Sequence, residues 1–486
     1  MRRFALAVAL ALGLLLAVLV TNALRPPPAL PPISPAPERP LARDALAERL
    51  ARTIRVETVS RGDGQGPDPA ALRALHARLA SDFPGLHRAL EREVIAQGSL
   101  LFRWPGSDAS LAPMLLMAHL DVVPVEPGTE GRWTHPPFSG AIDDGYVWGR
   151  GTLDDKVSVV ALAEATELLM RAGFAPRRTI YLAFGHDEEI GGDAGARAIA
   201  QRLAERGVRV AFTVDEGMGI VQRGLVPGLD RDVALIGLAE KGYLSLELAA
   251  SAVGGHSSTP PREASIYRLA RALERVEARP QPEAIRRPVS DMFDALAPHA
   301  SFPLRLVLCN RWLFDPLIRA ALRREPAQAA LLHTTTAPTL LRAGVKDNVL
   351  PSRAAAVLNH RVLPGDRIDD VVARVRSAVA DPNVEVRVVE GREASRSADP
   401  GSESYALLAR TIREVFPDVL VAPALVLGGT DSKHYAGVAE QSFRFVPLRL
   451  APEDLKRIHG TDERVSIDDY LDIVRFFARL MENGAS

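Results

Sequence analysis

The sequence has a single cysteine and almost no net charge, and each scarcity excludes a class of protein. One cysteine, Cys309, among 486 residues excludes an internal disulfide framework and a zinc site built on cysteines. The formal net charge of -1 provides no basic excess to neutralise phosphates, which argues against nucleic acid as the main partner. The sequence also lacks a glycine-rich phosphate loop of the Lys-Ser/Thr type, which argues against phosphoryl transfer.

Lysine is rare beside arginine. The lysines are Lys156, Lys241, Lys346, Lys433 and Lys456. Nucleotide bias in the coding sequence is one explanation of this imbalance. The other is that a lysine kept in such a background marks a place where arginine is not equivalent. Four of the five fall within or beside the motifs described below, although coincidence in so small a sample stays open.

The first 40 residues differ in composition from the rest. Arg2 and Arg3 precede a continuous apolar run, which predicts a signal peptide or a membrane anchor over residues 1–24. Residues 21–23 form a passable small-residue cleavage site, so both interpretations stay open. The positive-inside rule then places the remainder of the chain outside the cytoplasm. Residues 25–40 contain eight prolines and predict an extended polyproline linker.

From residue 41 the chain alternates between predicted strands and helices. Short apolar runs predict buried strands at 114–118, 179–184 and 208–214, and a stripe of apolar residues predicts a helix at 155–171. Strand–helix–strand alternation is typical of a parallel-rich sheet with helices on both faces. The fold class predicted for this part of the chain is therefore α/β.

A second domain interrupts this pattern at residues 239–394. The order strand–helix–strand–strand–helix–strand predicts a ferredoxin-like α+β module. An extra apolar segment, whose pattern predicts a helix, interrupts this module at about 286–333. The chain then returns to helix, strand and helix. The larger domain is therefore predicted to consist of residues 41–238 and 395–486, split by the inserted one.

Candidate metal ligands begin at the predicted strand 114–118. His119 and Asp121, in MAHLDVVP, point the same way on extended chain, so Asp121 would orient a ligating His119. His-x-Asp alone is a common chance pattern. Asp154, in GRGTLDDK, would bridge two metals where Gly149 and Gly151 permit a tight approach, or it would cap the following helix.

Two acidic motifs and a late histidine complete the candidate set. Glu188 and Glu189, in HDEEIGG, would supply one ligand and one general base, although consecutive acids usually form a solvated turn. Asp215, in VDEG, ends an apolar strand, and His459, in IHGTDERV, precedes a C-terminal helix. Most of these residues fall at the carboxyl ends of strands, where open α/β sheets bind ligands. Two imidazoles and three carboxylates suit two zinc ions ~3.5–4 Å apart.

These motifs resemble those of the dizinc exopeptidases that include aminoacylase, yeast carboxypeptidase S and succinyl-diaminopimelate desuccinylase. The resemblance extends from about residue 41 to the C-terminus and also includes GGHSSTPP, KDNVLP, NHRVLPG and GGTDSKHY. It implies Glu188 as the general base and Asp121 as the partner of His119. It implies two Zn²⁺ per chain, with one ion on His119 and Asp215, the other on Glu189 and His459, and Asp154 bridging them.

The resemblance also implies that the inserted module is a lid and dimerisation domain. His256, in GGHSSTPP, resembles the lid histidine that reaches, often from the partner subunit, toward the substrate carbonyl; its alternative is a turn residue in a Gly/Ser/Pro loop. Asn348 and Arg361 match the pair that binds the substrate carboxylate, and Arg392 would assist them.

Taken together, the motifs imply a zinc-dependent hydrolase of the amide bond next to a free carboxylate in small peptides or N-acyl amino acids. GGTDSKHY and the extra lid segment resemble the carboxypeptidase S branch and its secreted mammalian relative, which cleaves and forms N-fatty-acyl amino acids. A strict N-acyl-amino-acid amidohydrolase is the alternative enzyme. A non-catalytic zinc-binding receptor or scaffold is the alternative from another class, and the intact Glu188 argues against it.

Three expectations concern the partners and place of work of the protein. The resemblance implies a homodimer through the lid, and the N-terminal run implies contact with a membrane and export from the cytoplasm. The extra lid segment would also offer apolar side chains to an acyl group, unless they pack only against the lid itself. Those side chains are Phe293, Leu304, Leu306, Val307, Leu308, Trp312, Leu313 and Phe314.

Overall fold

The computed structural model describes residues 1–26, 32–62, 64–226 and 228–486. An N-terminal helix, α1 (Arg2–Ala23), precedes two α/β domains and is long and apolar enough to cross a membrane by length and composition. Residues 27–31 of the predicted linker lie outside the described residues. Residues 32–40 form no helix or strand, but the Ala36 N–H donates to the Glu414 carbonyl over 2.7 Å, and Arg39 pairs with Glu482. The end of the linker therefore lies on the larger domain.

The larger domain is built from two stretches of chain. The helices of the first stretch are α2 (Arg43–Ile54), α3 (Pro69–Asp82), α4 (Pro84–Ala89), α5 (Lys156–Arg171) and α6 (Ala196–Glu205). Its strands are β1 (Glu91–Ile95), β2 (Ser99–Trp104), β3 (Met114–His119), β4 (Ala141–Asp143), β5 (Tyr146–Trp148), β6 (Ile180–Gly185), β7 (Val210–Asp215), β8 (Ile220–Val221) and β9 (Val233–Glu240).

The inserted domain separates the two stretches. Its strands are β10 (Gly242–Ser251), β11 (Gly255–His256), β12 (Thr335–Ala343), β13 (Val349–Leu350), β14 (Arg353–Val362) and β15 (Val384–Arg392). Its helices are α7 (Ser265–Glu277), α8 (Val289–Leu296), α9 (Phe302–Leu308), α10 (Arg311–Leu322), α11 (Pro326–Ala329) and α12 (Ile368–Val379).

The second stretch completes the larger domain. It contains α13 (Glu403–Val415), α14 (Pro452–Leu455), α15 (Ile467–Ala485) and the strands β16 (Leu420–Val426), β17 (Ala439–Arg444), β18 (Arg449–Leu450) and β19 (Arg464–Ser466). Short 3-10 helices lie at Glu130–Arg132, Glu188–Ile190, Ala297–His299 and Asp431–Gly437.

The main sheet has the strand order β1-β2-β6-β3-β7-β17-β9-β8-β18, and β16 pairs with β9. Its central strands β6, β3, β7 and β17 are parallel to their neighbours in that run, while β1 and β2 add an antiparallel edge. Every residue of β3 and β6 is buried, which explains why these strands read as continuous apolar runs rather than alternating ones.

Helices cover both faces of the main sheet. Leu116 belongs to the core on the side of α5 and α15, whereas its neighbour Leu115 belongs to the core on the side of α6. This alternation follows from the two-residue period of a strand. The predicted α/β class, with a parallel-rich sheet and helices on both faces, is confirmed.

The inserted domain has a four-stranded antiparallel sheet in the order β12-β14-β10-β15. Helices α7 and α12 pack on one face of this sheet through a separate hydrophobic core. This is the predicted ferredoxin-like arrangement. The predicted boundary at residue 238/239 falls inside β9, which stays paired with β16 as far as Glu240.

Helices α8–α11 form the insertion between α7 and β12. Phe293, Leu308 and Ile318 form a core there with Leu425 of β16, so the insertion also contacts the larger domain. The predicted helical segment at 286–333 agrees with these four helices.

Candidate metal centre and active site

The candidate ligands meet at the carboxyl ends of the central parallel strands. His119 ends β3 and pairs in register with Gly185, the last residue of β6. Glu188 and Glu189 follow β6 by three and four residues, in the short helix Glu188–Ile190. Because parallel strands end at one edge of the sheet, residues separated by many positions in sequence come together there.

Asp154 is shared by two clusters of side-chain atoms of the kind that bind metal ions. The His119 Nε2 atom lies 2.9 Å from Asp154 Oδ1 and 3.5 Å from Glu216 Oε1. The His459 Nε2 atom lies 3.0 Å from Asp154 Oδ2 and 3.3 Å from Glu189 Oε2. Each oxygen of one carboxylate therefore faces a different histidine, which is the arrangement that a ligand shared by two cations requires.

The structure differs from the sequence assignment at one ligand. Asp215 is buried, but its Oδ2 accepts hydrogen bonds from the Ser432 N–H over 2.8 Å and the Ser432 hydroxyl over 2.9 Å. It belongs to neither cluster, and Glu216, the next residue, takes that place beside His119. Adjacent residues at a strand end point to opposite sides, so VDEG offers two acids of which only one faces the crevice. On this geometry Glu216, rather than the predicted Asp215, faces His119.

The orientation of His119 follows from its second ring nitrogen. Nδ1 lies 2.9 Å from the backbone carbonyl of Asp121 and 3.4 Å from the Asp121 Oδ1 atom. Both neighbours are acceptors, so Nδ1 carries a proton, and Nε2 is the ring atom that would bind a cation in place of its own proton. The Asp121 carboxylate also accepts from the Ser60 hydroxyl and from the N–H groups of Glu188 and Glu189, over 2.6, 3.1 and 3.2 Å. Asp121 therefore orients both the histidine and the acidic pair.

The chemistry of the clusters fits divalent cations. The Glu189 Oε1 atom is buried and has no hydrogen-bond partner among the described residues, although its other oxygen faces His459. Burial raises the pKa values of Glu189 and Glu216, and the carboxylates of Asp154 and Glu189 raise the pKa of His459 to about 10. Several acids thus share a crevice with only two imidazoles. Bound cations would supply the missing positive charge, and these nitrogen and oxygen donors suit zinc.

Glu188 lies beside these clusters without joining either. Burial raises the pKa of its carboxyl group to about 8, while His119 and Lys433 oppose the shift. The Lys433 Nζ atom lies 3.9 Å from Glu188 Oε1. A carboxylate whose proton affinity is near neutrality is suited to accepting and returning a proton.

A buried ion pair supports the loop that carries Asp154. The Glu463 Oε1 atom accepts from the N–H groups of Gly151 and Leu153 over 3.0 and 2.8 Å, and Oε2 pairs with Arg150 Nη1 at 2.5 Å. Gly151 has φ +91°, and a Cβ there would meet a Val122 side chain at 2.8 Å. The sequence-based site did not include Glu463, although it lies in the IHGTDERV motif beside His459.

Two predicted site residues lie on a small exposed ribbon of the lid. His256 of β11 pairs with Val349 of β13, and its Nδ1 accepts from the Ser258 hydroxyl over 2.8 Å. Asn348 precedes β13, and its backbone carbonyl accepts from the Ser257 N–H over 3.2 Å. The structure therefore brings these two residues together on the lid, but neither joins the clusters formed by the described residues of the larger domain.

The two arginines predicted to bind the substrate carboxylate lie in one row of the lid sheet. Arg361 of β14 and Arg392 of β15 both pair with Tyr243 of β10, from opposite sides. The Arg361 guanidinium lies 5.1 Å from the centroid of the Tyr243 ring. Arg392 also lines a cavity between the lid and the larger domain, with Lys241 and Lys433. Arg392 is therefore close to the crevice, but neither arginine is part of the clusters.

Comparison with known proteins gives consistent matches. A family model described as Peptidase family M20/M25/M40 matches residues 115–483. The probable carboxypeptidase S-like 2 of Dictyostelium discoideum is 42% identical over 443 residues, which cover 90% of this chain and 85% of that protein. The N-fatty-acyl-amino acid synthase/hydrolase PM20D1 of Xenopus tropicalis is 39% identical over 446 residues, covering 91% and 86%. The solved M20 family metallo-carboxypeptidase Sso-CP2 from Sulfolobus solfataricus shares the fold, with a TM-score of 0.67 at 16% identity, covering 90% of this chain and 98% of that chain.

Proposed function

The chain belongs to peptidase family M20/M25/M40, and from that premise we propose that it hydrolyses the amide bond beside a free carboxylate in small peptides or N-acyl amino acids. The resemblance to the carboxypeptidase S branch, drawn from the motifs, is confirmed by the relatives. The observation that carries the proposal is Asp154, shared between two histidine–carboxylate clusters and next to an uncommitted acid, Glu188. A binding module would have no need of that acid.

The family is metal-dependent, and we propose two zinc ions per chain. His119, Asp154 and Glu216 would hold one ion, and Asp154, Glu189 and His459 the other. When bound, such ions polarise a carbonyl oxygen and lower the pKa of water. The role assigned to Asp215 becomes structural, since its carboxylate holds Ser432 of the GGTDSKHY loop.

Glu188 would be the general base and then the general acid. Its carboxylate would accept a proton from the attacking water and deliver that proton to the leaving nitrogen as the amide C–N bond breaks. The neighbouring Lys433 would favour the carboxylate form before the reaction begins. Asp121 would act through its neighbours, because it orients His119 and binds the backbone of Glu188.

The lid arginines support the requirement for a free carboxylate. A guanidinium presents N–H donors in a planar fork that fits a carboxylate bidentately. Arg361 lies against the face of Tyr243, which restricts its side chain before substrate binds. Asn348 would add an amide donor, and Arg392 would assist from the opposite side of Tyr243.

A second function, the strict hydrolysis of N-acyl amino acids, is favoured by the relative named as an N-fatty-acyl-amino acid synthase/hydrolase. The apolar side chains expected to line an acyl groove do not form one continuous lining. Phe293 and Leu308 belong to the core of the insertion, whereas Trp312 and Leu313 lie on its outer surface. We therefore propose peptides and N-acyl amino acids as one substrate class and leave the acyl preference to the substrate panel.

A homodimer through the lid is supported by the exposed edge strand β12. Eight of its nine residues are exposed, including Leu340 and Leu341, and its outer edge has no partner strand among the described residues. Unpaired edges of this kind readily pair with another chain. The crevice of a partner subunit would also give a role to His256, which is exposed and belongs to neither cluster of its own chain. Export from the cytoplasm is proposed from α1 alone.

The deciding experiment compares free acids with their C-terminal amides. Purified full-length protein with zinc is tested on a panel of dipeptides and N-acyl amino acids, and the products are identified by mass. We expect wild type to prefer the acid and Arg361→Ala to lose that preference. Arg387→Ala, at an exposed arginine on β15 of the same sheet, is the matched control and should keep it. Equal cleavage of acid and amide by wild type would refute the proposed specificity.

A further inference from the structure

The outer face of helix α10 is apolar throughout. Its exposed residues are Trp312, Leu313, Pro316, Leu317, Ala320 and Ala321, which recur at the spacing of one helical face. Trp312 is 64% exposed and Leu317 57%. The opposite face of the helix packs inward through Ile318. A soluble surface helix normally shows charged or polar residues on its outer face, so this inversion indicates that the face is covered in the working protein.

The outer face of α10 begins beside the C-terminal end of helix α1. Asn310, directly before α10, is fully buried, and its Nδ2 donates to the Leu19 carbonyl of α1 over 3.0 Å. The Asn22 Nδ2 of α1 donates in return to Asn310 Oδ1 over 2.8 Å. Helix α1 also packs against α9, burying Leu19 and Ala23. The start of α10 is therefore fixed at the level of the last turns of α1.

These contacts fix the depth of α10 relative to any bilayer that α1 crosses. A helix of 22 residues is ~33 Å long, close to the ~30 Å hydrocarbon thickness of a bilayer. Leu19 lies about one turn before its C-terminal end, so the attached part of the lid lies at the boundary between acyl chains and headgroups. Tryptophan is enriched at that depth, as are apolar helix faces lying in the plane of the membrane.

The charges of the insertion suit the same surroundings. Residues 286–333 contain seven arginines against four acidic residues, in a chain whose net charge is -1. Arg311, Arg319 and Arg323 flank the apolar face of α10, and each also pairs with an acid of the insertion or the segment before it. Long arginine side chains beside an apolar face can reach lipid phosphates while their stems lie on apolar surface.

We propose that the outer face of α10 lies in the interface of the lipid bilayer, beside α1, which stays attached as an anchor. The lid then contacts the membrane at two linked points: the spanning helix and the α10 face. The buried amide of Asn310 locks these two points together, because both its donor and its acceptor are satisfied by α1. Removal of α1 would leave that amide and the surface around it exposed.

Intrinsic fluorescence tests this placement directly. The chain has four tryptophans, and Trp104, Trp133 and Trp148 are each no more than 9% exposed. Full-length protein is reconstituted in vesicles with and without lipids that carry a nitroxide near the headgroup. Its fluorescence is compared with that of Trp312→Phe, and the difference between the two proteins reports Trp312 alone. Intact mass measured on the membrane-purified protein shows whether α1 is present.

We expect nitroxide lipids to quench most of the Trp312 signal. Aqueous iodide should quench that signal several-fold less in vesicles than in the same protein unfolded by denaturant without detergent. Leu317→Glu should reduce the lipid quenching, whereas Val94→Glu, at another exposed apolar position, on edge strand β1, should leave it unchanged. Three results would each overturn the proposal. They are quenching by iodide without quenching by nitroxide lipid, protection of Trp312 from both quenchers as in a protein interface, and a mature protein that lacks α1.

Discussion

The two domains place their functional residues in different ways. In the crevice of the larger domain, His119 and His459 each contact Asp154 already, through side-chain atoms 2.9 and 3.0 Å apart. In the lid, His256 and Asn348 lie on an exposed ribbon and contact only their own loop. The first set lies together within one folded chain, whereas we propose that the second acts only when the lid moves or another chain approaches.

This difference follows from how each site is built. The crevice residues follow buried parallel strands, so the packing of the sheet fixes their separation. The lid ribbon is one strand pair of two residue pairs, and most of its residues are exposed, so its distance from the crevice depends on the relation between the domains. We therefore expect crevice variants to affect chemistry inside one subunit, and lid variants to reveal the contribution of closure or of the partner.

The largest expected effect is that of Glu188→Gln. The amide cannot accept a proton from water but occupies the same space, so kcat should fall by about 10²–10⁴-fold or more. Metal content should stay near two ions per chain, because Glu188 belongs to neither cluster. Single-turnover kinetics and metal analysis on the same preparation check both parts. Near-normal turnover with full metal would remove Glu188 from the mechanism.

His256→Ala should have the next largest effect. A lost donor to the developing oxyanion costs about 2.7–4 kcal/mol, or roughly 10²–10³-fold in kcat. If His256 serves the neighbouring subunit, equal mixing of His256→Ala and Glu188→Gln chains should restore activity in about a quarter of the sites, since half of the dimers are mixed and one of their two sites is complete. No recovery, with subunit exchange shown by mass, would place His256 in its own subunit or outside the reaction.

Glu463→Gln should weaken metal binding rather than chemistry. Loss of the charge that holds Arg150 and the N–H groups around Asp154 should loosen the shared ligand and lower metal affinity by about 10–100-fold. At saturating zinc, kcat should return toward the wild-type value. Glu453→Gln, an exposed acid in α14, is the control and should bind metal normally. Unchanged metal affinity in Glu463→Gln would show that the loop holds its shape without this charge.

The smallest expected effect concerns the junction of the domains. Lys241 donates to the carbonyls of Ala330 and His333, and burial lowers its pKa to about 8. Between about pH 8 and 10.5 the folded chain has released a proton that the unfolded chain keeps, so stability rises with pH in this window. The free energy of unfolding of wild type minus that of Lys241→Met should therefore increase by about 1.4 kcal/mol or more from pH 8 to 10.5. Denaturant titration at both values, with zinc present, measures it. A constant difference would show that Lys241 keeps its proton.

The sequence predicted most of the fold because its main signals were local. The apolar run 114–118 became β3, and the helix expected at 155–171 became α5, one residue shorter. The same periodicities identified the ferredoxin-like order of the lid. The helical character of the insertion also followed from its apolar pattern, although its division into four helices did not. Its contact with α1 was not predicted either, because a polar pair such as Asn22 and Asn310 carries no recognisable spacing.

The candidate site was less predictable where the role of a residue depends on the direction of its side chain rather than on its position in the sequence. Asp215 and Glu216 are adjacent acids, and only the end of β7 decides which one turns toward His119. Glu463 was missed because its function depends on burial beside Arg150, which lies more than 300 residues earlier in the chain. In the lid, the motifs identified Arg361 and Arg392 individually. Only the strand register shows that the two arginines lie in one row of the sheet, on either side of Tyr243.

The attachment of α1 to the lid insertion has a consequence for the whole chain. Asn310 ties the insertion to α1, and the last residues of the linker contact the larger domain at Glu414. Because the insertion also shares a core with Leu425 of β16, an α1 helix in a bilayer would hold both domains close to the membrane surface. Substrates that dissolve in lipid would then reach the protein from the membrane, where their local concentration is far higher than in bulk water.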